Sequence, residues 1–434
     1  MNSLRRPPGA FGGRNVIPPS ERARLEDCVA PTILRAQNAH MKKVIFATVA
    51  LVSALLCGRA ILAQSTAASA QTASVLPTFE LDKTWPPTLP NGWVMGQMSS
   101  VAIDKRDHVW LLHRPRFIPA DQAAHRAPPV LEFDAAGKFV QGWGGAGAGY
   151  EWPENEHGIF VDDKDVVWIG GQAGTGAGVV KYRKVADQRV PVDDDMLLKF
   201  TTAGKFLQQI GRQNASRGNQ DTENLKEPAD LVISRNTNEA FVADGYGNRR
   251  VIVLDADTGA FKRMWGAFGN VPVDAKPAPL RPGFTGFAEP GPAAPPPPAG
   301  AAPTPAPART PPGPQQFGGP VHAIRVSNDG FVYVADRSNG RVQVFTLAGK
   351  YVNQLFSGGS PGSLALSPDK EQQFLYVGEG NQILIVNRKT LAVLASDRFG
   401  ARGTVRPHHM AIDSKGNVYT AELDYGTQRF AFRR

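Results

Sequence analysis

Three histidines, His157, His322 and His408, each open the same kind of phrase in this chain: HGIFVDDKDVVWIGG, HAIRVSNDGFVYVADRSNGR and HHMAIDSKGNVYTAEL. Each phrase runs from a histidine through an apolar stretch to an Asp-containing turn, and then to an apolar strand with a Trp or Tyr in it. Three imidazoles with a fourth position left open form the donor set of a catalytic metal site. A single histidine on a strand is usually packed or solvated, but three at one position of a repeat are hard to explain as packing. Zinc suits three neutral imidazoles, and iron, manganese or copper would also be tolerated.

A second set of reactive types stands beyond these phrases. Arg114 (LLHRPR) and Arg337 (VADRSNGR) lie fifteen residues after Ser99 and His322, and Tyr246 (ADGYGNRR) lies beside that place in another copy. A guanidinium fork binds a carboxylate through two hydrogen bonds, and a tyrosine beside a metal can serve as general base or oxyanion donor. Arg249, Arg250 and Arg341 are read instead as bridges between neighbouring units. His108, His113 and His125 fall outside the histidine position and are expected at the surface or behind the site. Asp193-Asp194-Asp195 lacks the ligand spacing of a dedicated calcium loop. Nucleophile elbows and phosphate-binding glycine loops are absent from the sequence.

The elements that position these residues are repeats. The phrase occurs six times, starting at Ser99, His157, Ala229, His322, Gly362 and His408. Several copies continue into further strands of the type Gly-Lys-Phe, as at Gly137–Gly144, Gly204–Gly211, Gly259–Gly266 and Gly349–Phe356. Four short strands joined by Asp, Asn and Gly turns make one propeller blade, and blades bury their faces only by stacking around an axis. The predicted fold is therefore all-β, a six-bladed β-propeller over residues 76–434. The last copy reaches Arg434 one strand short, and Leu76–Trp85 alternates suitably to supply that strand and close the ring. The histidines occupy blades two, four and six, about 120° apart, so their side chains should converge on the axis.

Outside the repeats, residues 271–316 hold 16 prolines in 46 positions and are expected to form a disordered surface loop. Met41-Lys42-Lys43, the apolar run Val44–Leu56 and a small-residue stretch ending near Ala63 read as a signal peptide over 41–63. Residues 1–40 then read as an over-extended start and 64–75 as a linker, and the location as periplasmic or secreted. Removing the first 63 residues leaves 39 Lys and Arg against 36 Asp and Glu, so the net charge falls from +9 to +3. That balance points to no nucleic-acid partner. Both cysteines, Cys28 and Cys57, lie in the removed part, which excludes a disulfide framework. The processed chain carries no membrane span, and a monomer is favoured.

The repeat resembles the NHL type of propeller. HVWLLHRP, EHGIFVDDKDVVWI, FVADGYGNRR, PVHAIRVSNDGFVYVADRSNGRVQVF and RPHHMAIDSKGNVY, in that order, resemble the lyase domain of the peptide-amidating enzyme, peptidyl-α-hydroxyglycine α-amidating lyase. The resemblance implies zinc on His157, His322 and His408. It also implies Tyr246 as base and Arg114 and Arg337 as clamps on a small-molecule or peptide substrate bearing a carboxylate. The implied reaction cleaves a carbinolamide C–N bond to an amide and glyoxylate. His409 stands where that family has a carboxylate that helps to hold calcium, so a Ca2+ site is not carried over. The family's disulfides are also missing, with Gly247, Val332 and Val344 in their neighbourhoods. Two other readings stay open: a non-catalytic periplasmic NHL-repeat scaffold, and a metal-dependent hydrolase or lactonase on the same ring.

Overall fold

The computed structural model describes residues 76–173, 182–185, 188–274, 312–400 and 405–433. Over these residues the chain forms six four-stranded antiparallel sheets arranged as a β-propeller. Blade one comprises Gln97–Ile103, Val109–Arg114, Val130–Phe133 and Phe139–Trp143. Blade two comprises Glu156–Val161, Val166–Gly171, Met196–Thr201 and Phe206–Gly211, with an extra hairpin, Tyr182–Val185 with Gln188–Pro191, between its second and third strands. Blades three, four and five begin with the innermost strands Pro228–Ser234, Val321–Val326 and Pro361–Leu366 and end with Phe261–Trp265, Tyr351–Phe356 and Val393–Ala395. Blade six holds His409–Ile412, Val418–Glu422 and Gly426–Arg433, and its outermost strand is Thr78–Leu81 from the other end of the chain. Thr78 pairs with Arg433 and Leu81 with Phe430, so the ring is closed by the N-terminal strand.

The repeated phrase has a local cause. Asp104 accepts the backbone N–H groups of Arg106 and His108 through one oxygen and the Trp110 indole N–H through the other. Asp162 does the same with Lys164, Val166 and Trp168. Asp413 accepts from Lys415, Asn417 and the Tyr419 hydroxyl. A short carboxylate that captures the turn's own backbone donors fixes the reversal between first and second strands. The aromatic six residues on ties that turn to the blade face. Apolar side chains from adjacent blades then share one core: Trp110, Leu112 and Val130 of blade one pack with Ile159, Val167 and Met196 of blade two.

The innermost strands carry one further feature. In five blades the pairing with the second strand slips between Met98 and Ser100, Glu156 and Gly158, Pro228 and Asp230, Val321 and Ala323, and Pro361 and Ser363. The skipped residues are Ser99, His157, Ala229, His322 and Gly362, which are the repeat-heading residues. A bulge residue leaves the ladder's alternation, and its side chain is re-aimed out of the blade face. In blade six the ladder starts at His409, and the backbone N–H of His408 donates to Ala421.

The ends of the proline-rich stretch depart from the expected loose loop. Gln220 donates to the carbonyl of Pro272, Asn219 to Val273 and Asp274, and the Arg341 guanidinium to Pro312, Pro314 and Gln316. The ends of the stretch are thus held by polar side chains, of which Asn219 and Arg341 are buried. Residues 275–311, and the expected signal peptide at 41–63, lie outside the described residues. No helix among the described residues is long and apolar enough to cross a membrane.

Candidate metal centre

The imidazoles of His157, His322 and His408 meet at the axis. Their ring centroids are 5.1 Å apart for His157 and His322, 4.7 Å for His157 and His408, and 4.9 Å for His322 and His408. One nitrogen from each of these rings, together with one from His409, lies within 4.8 Å of all the others. The triangle is nearly equilateral, which is what heads of alternate blades produce around a six-fold ring.

The three rings are held alike. His157 Nδ1 lies 2.8 Å from the carbonyl oxygen of Ala229, His322 Nδ1 lies 2.5 Å from that of Gly362, and His408 Nδ1 lies 2.6 Å from that of Ser99. Each acceptor is the repeat-heading residue of the next blade. A carbonyl only accepts, so Nδ1 must carry the proton and Nε2 presents a lone pair. This is the outer-shell arrangement that fixes the tautomer and the direction of a metal-binding histidine. Burial, followed by the charges and rings nearby, holds all three pKa values well below the ordinary histidine range. The rings are neutral at physiological pH, the form that binds a metal.

Tyr246 lies against this triangle. Its hydroxyl oxygen is 3.0 Å from Nε2 of both His157 and His322. A phenol has one proton to give, so the two lone pairs that face it cannot both be satisfied by it. A divalent cation at the convergence satisfies them together, and the donor set therefore fits a metal ion. Burial pushes the Tyr246 pKa up, while Arg337, which donates to it, and Arg114 pull it down.

Arg114 is buried and donates to the Glu156 carbonyl at 2.8 Å and to the Gln97 side-chain oxygen at 3.3 Å. Both acceptors are neutral, and no carboxylate pairs with it among the described residues. Burial lowers its pKa to about 10. Arg250 and Arg341 contrast with it: fully buried, they pair with Asp244 at 2.8 Å and Asp336 at 2.7 Å. Those two arginines hold turns together, whereas Arg114 offers an unneutralised charge to the site.

Other residues singled out in the sequence lie elsewhere. His113 is fully buried: Nδ1 accepts the Gly96 N–H and Nε2 faces the Pro128 carbonyl, which locks a loop. His108 pairs with Glu132, and His125 is exposed. Asp194 accepts from Glu154, Asn155 and Gln213, and Asp195 accepts the Ser216 N–H through one oxygen.

Two contributions escaped the sequence. The acceptor carbonyls of Ser99, Ala229 and Gly362 had a readable signal, since all three positions are small. His409 had none, because the alternation of a strand places the neighbour of an inward residue on the opposite face. Arg325 reaches from blade four to the Asp230 carboxylate at 2.5 Å and to the Met410 carbonyl of blade six.

Comparison with known proteins bears on the fold. The NHL repeat family matches residues 321–345. NHL repeat-containing protein 3 of Homo sapiens is 24% identical over 392 residues, covering 85% of this chain and 87% of that protein. Its Mus musculus counterpart is 24% identical over 369 residues, covering 80% and 82%. A solved streptogramin B lyase structure aligns with a TM-score of 0.43 and 11% identity, over 82% of this chain and 98% of that one.

Proposed function

We propose that this NHL-repeat six-bladed propeller is an exported, metal-dependent carbon–nitrogen lyase that cleaves a carbinolamide to an amide and glyoxylate. The observation that carries the reading is the convergence of three tautomer-locked Nε2 atoms beside a half-buried phenol and a buried arginine with no carboxylate partner. His157, His322 and His408 would hold the ion, with zinc the best match to neutral imidazoles. When bound, a divalent ion supplies Lewis acidity that lowers the pKa of a hydroxyl placed on it.

This chain's own residues then do the rest. Arg114 and Arg337 hold the substrate carboxylate and set the α-carbon against Tyr246. Burial keeps the phenol protonated at rest; the two guanidinium groups, joined by the charge of the ion, favour its ionised form. Tyr246 takes the proton of the α-hydroxyl. The oxygen's electron pair forms the carbonyl of glyoxylate, the C–N bond breaks, and its electrons leave on nitrogen. Nitrogen receives the proton, so nothing is oxidised or reduced and no water is consumed.

The direct experiment is glyoxylate release from an α-hydroxyhippurate-type substrate by the purified protein before chelation, after chelation and after zinc is restored. Release that follows the metal supports the lyase. A metal-loaded protein that releases none eliminates it, and a protein that binds no metal leaves the scaffold reading.

A further inference from the structure

We infer that His409 is a fourth protein ligand to the same ion, so that the centre is built from four imidazoles rather than three. The inference rests on the metal reading given above and adds a residue that the repeat pattern does not predict; with four imidazoles bound, a substrate hydroxyl reaches the ion as a fifth ligand.

His409 is buried, and its Nε2 has no hydrogen-bond partner among the described residues. A buried ring nitrogen without a partner is unfavourable. Its other nitrogen is engaged: Nδ1 lies 2.9 Å from the Ser100 hydroxyl oxygen, which also receives the Ile159 N–H. A hydroxyl both donates and accepts, so the role of Nδ1 follows the tautomer: with the proton on Nδ1, donated to Ser100 Oγ, Nε2 presents a bare lone pair, the form that binding of an ion selects. In that tautomer the serine oxygen takes the place that the three carbonyls hold for the other rings.

The geometry points to one shared ion. An imidazole bound at about 2.0–2.1 Å has its centroid roughly 3.2 Å from the metal, and four such rings in a tetrahedron have centroids about 5 Å apart. The His409 centroid lies 5.2 Å from that of His157, 5.4 Å from that of His322 and 4.9 Å from that of His408. Those distances and the three within the triangle all fall near the tetrahedral value. Four neutral nitrogens suit the borderline ions that imidazole prefers and reject calcium and magnesium, which require oxygen.

The test uses the full-length protein loaded with zinc, and separately with cobalt(II) as a spectroscopic reporter. X-ray absorption at the zinc edge counts the imidazoles, and competition with a chromophoric chelator gives the affinity. Four imidazoles are expected in the wild type and three in His409→Ala, with zinc affinity lowered roughly 10- to 100-fold and a changed cobalt spectrum. Ser100→Ala, which keeps the ring but removes its support, is expected to weaken affinity about 10-fold; it carries the test if His409→Ala fails to fold. Three imidazoles in the wild type, with an unchanged spectrum and affinity in the variants, overturns the inference and leaves the three-histidine centre standing. A wild type that binds no ion overturns both.

Discussion

Gly158→Ala tests the claim that backbone carbonyls of the intervening blades orient the histidines. Gly158 follows His157 in the innermost strand of blade two, and a Cβ added to it would lie 2.8 Å from the carbonyl oxygen of Ala229. That oxygen accepts the His157 Nδ1–H at 2.8 Å. Ordinary contact begins at 3.4 Å, so the two strands must separate by about 0.6 Å. Even a part of that shift along the hydrogen bond takes it outside the 2.7–3.2 Å range. Overpacking of this kind costs about 1–3 kcal/mol of stability. The loss of an outer-shell partner costs 10- to 100-fold in metal affinity, which is about 1.4–2.7 kcal/mol. By linkage, zinc at a fixed excess then raises the unfolding free energy of the variant by that much less than it raises the wild type. Chelator competition measures the affinity, and denaturant unfolding with and without zinc measures the linkage. Gly170→Ala is the control, because its Cβ meets its nearest atoms at 3.2 Å and none of them touches a site histidine. A Gly158→Ala protein that is less stable without metal but binds zinc as the wild type does would refute the tautomer lock.

The remaining predictions follow from the same contacts. Arg114→Met removes a buried charge paired only with neutral oxygens, so apo stability is expected to hold, while KM for a carboxylate-bearing substrate rises roughly 10- to 150-fold, the worth of a charge-assisted bond of about 1.5–3 kcal/mol. Arg341→Met leaves Asp336 buried without its partner and is expected to cost about 3–5 kcal/mol in denaturant unfolding. Tyr246→Phe is expected to keep zinc binding and lower kcat for glyoxylate release by roughly 10²–10⁴; unchanged turnover removes Tyr246 from the chemistry. Burial pushes Asp194 and Asp195 up to about 7. A carboxyl whose folded pKa is raised takes up a proton on folding, so stability is full below about pH 4 and falls as pH rises towards 7. Thermal unfolding between pH 5 and 8 is expected to show that decline, and Asp194→Asn to flatten it whatever its offset in stability.

What was legible in the sequence was whatever the repeat writes in residue type. The Asp-to-Trp spacing of Asp104–Trp110 and Asp162–Trp168 is a local hydrogen-bonded turn, so the blades could be counted before any coordinates. The alternation of Thr78–Leu81 was enough to assign it as the closing strand. Histidine at one position in alternate blades was visible for the same reason, and so were Arg114, Arg337 and Tyr246. What was not legible depends on backbone geometry. The slip that turns Ser99, His157, Ala229, His322 and Gly362 out of the ladder has no residue signature, and neither has the start of the blade-six ladder at His409, which leaves His408 just outside it. The acceptors that hold the rings are main-chain oxygens, which any side chain carries.

The arrangement also explains why the number of blades matters to the chemistry. Each histidine of blades two, four and six needs a carbonyl from the blade that follows it, and Ala229, Gly362 and Ser99 of blades three, five and one provide these. Ligand and acceptor therefore alternate around the ring, and the pattern returns to its start without a mismatch only when the number of blades is even. Six is also the number that sets three ligands 120° apart with one acceptor between each pair. In a ring with an odd number of blades, two ligand blades or two acceptor blades would fall side by side, and one imidazole would lose either its partner or its place in the triangle. The residues between the ligands are small for the same reason. The next imidazole must come within hydrogen-bond distance of their backbone, and at Gly362 an added Cβ would stand 4.0 Å from His322 Nδ1. A bulkier residue at Ser99, Ala229 or Gly362 is thus expected to disturb a histidine one blade away while leaving its own blade intact.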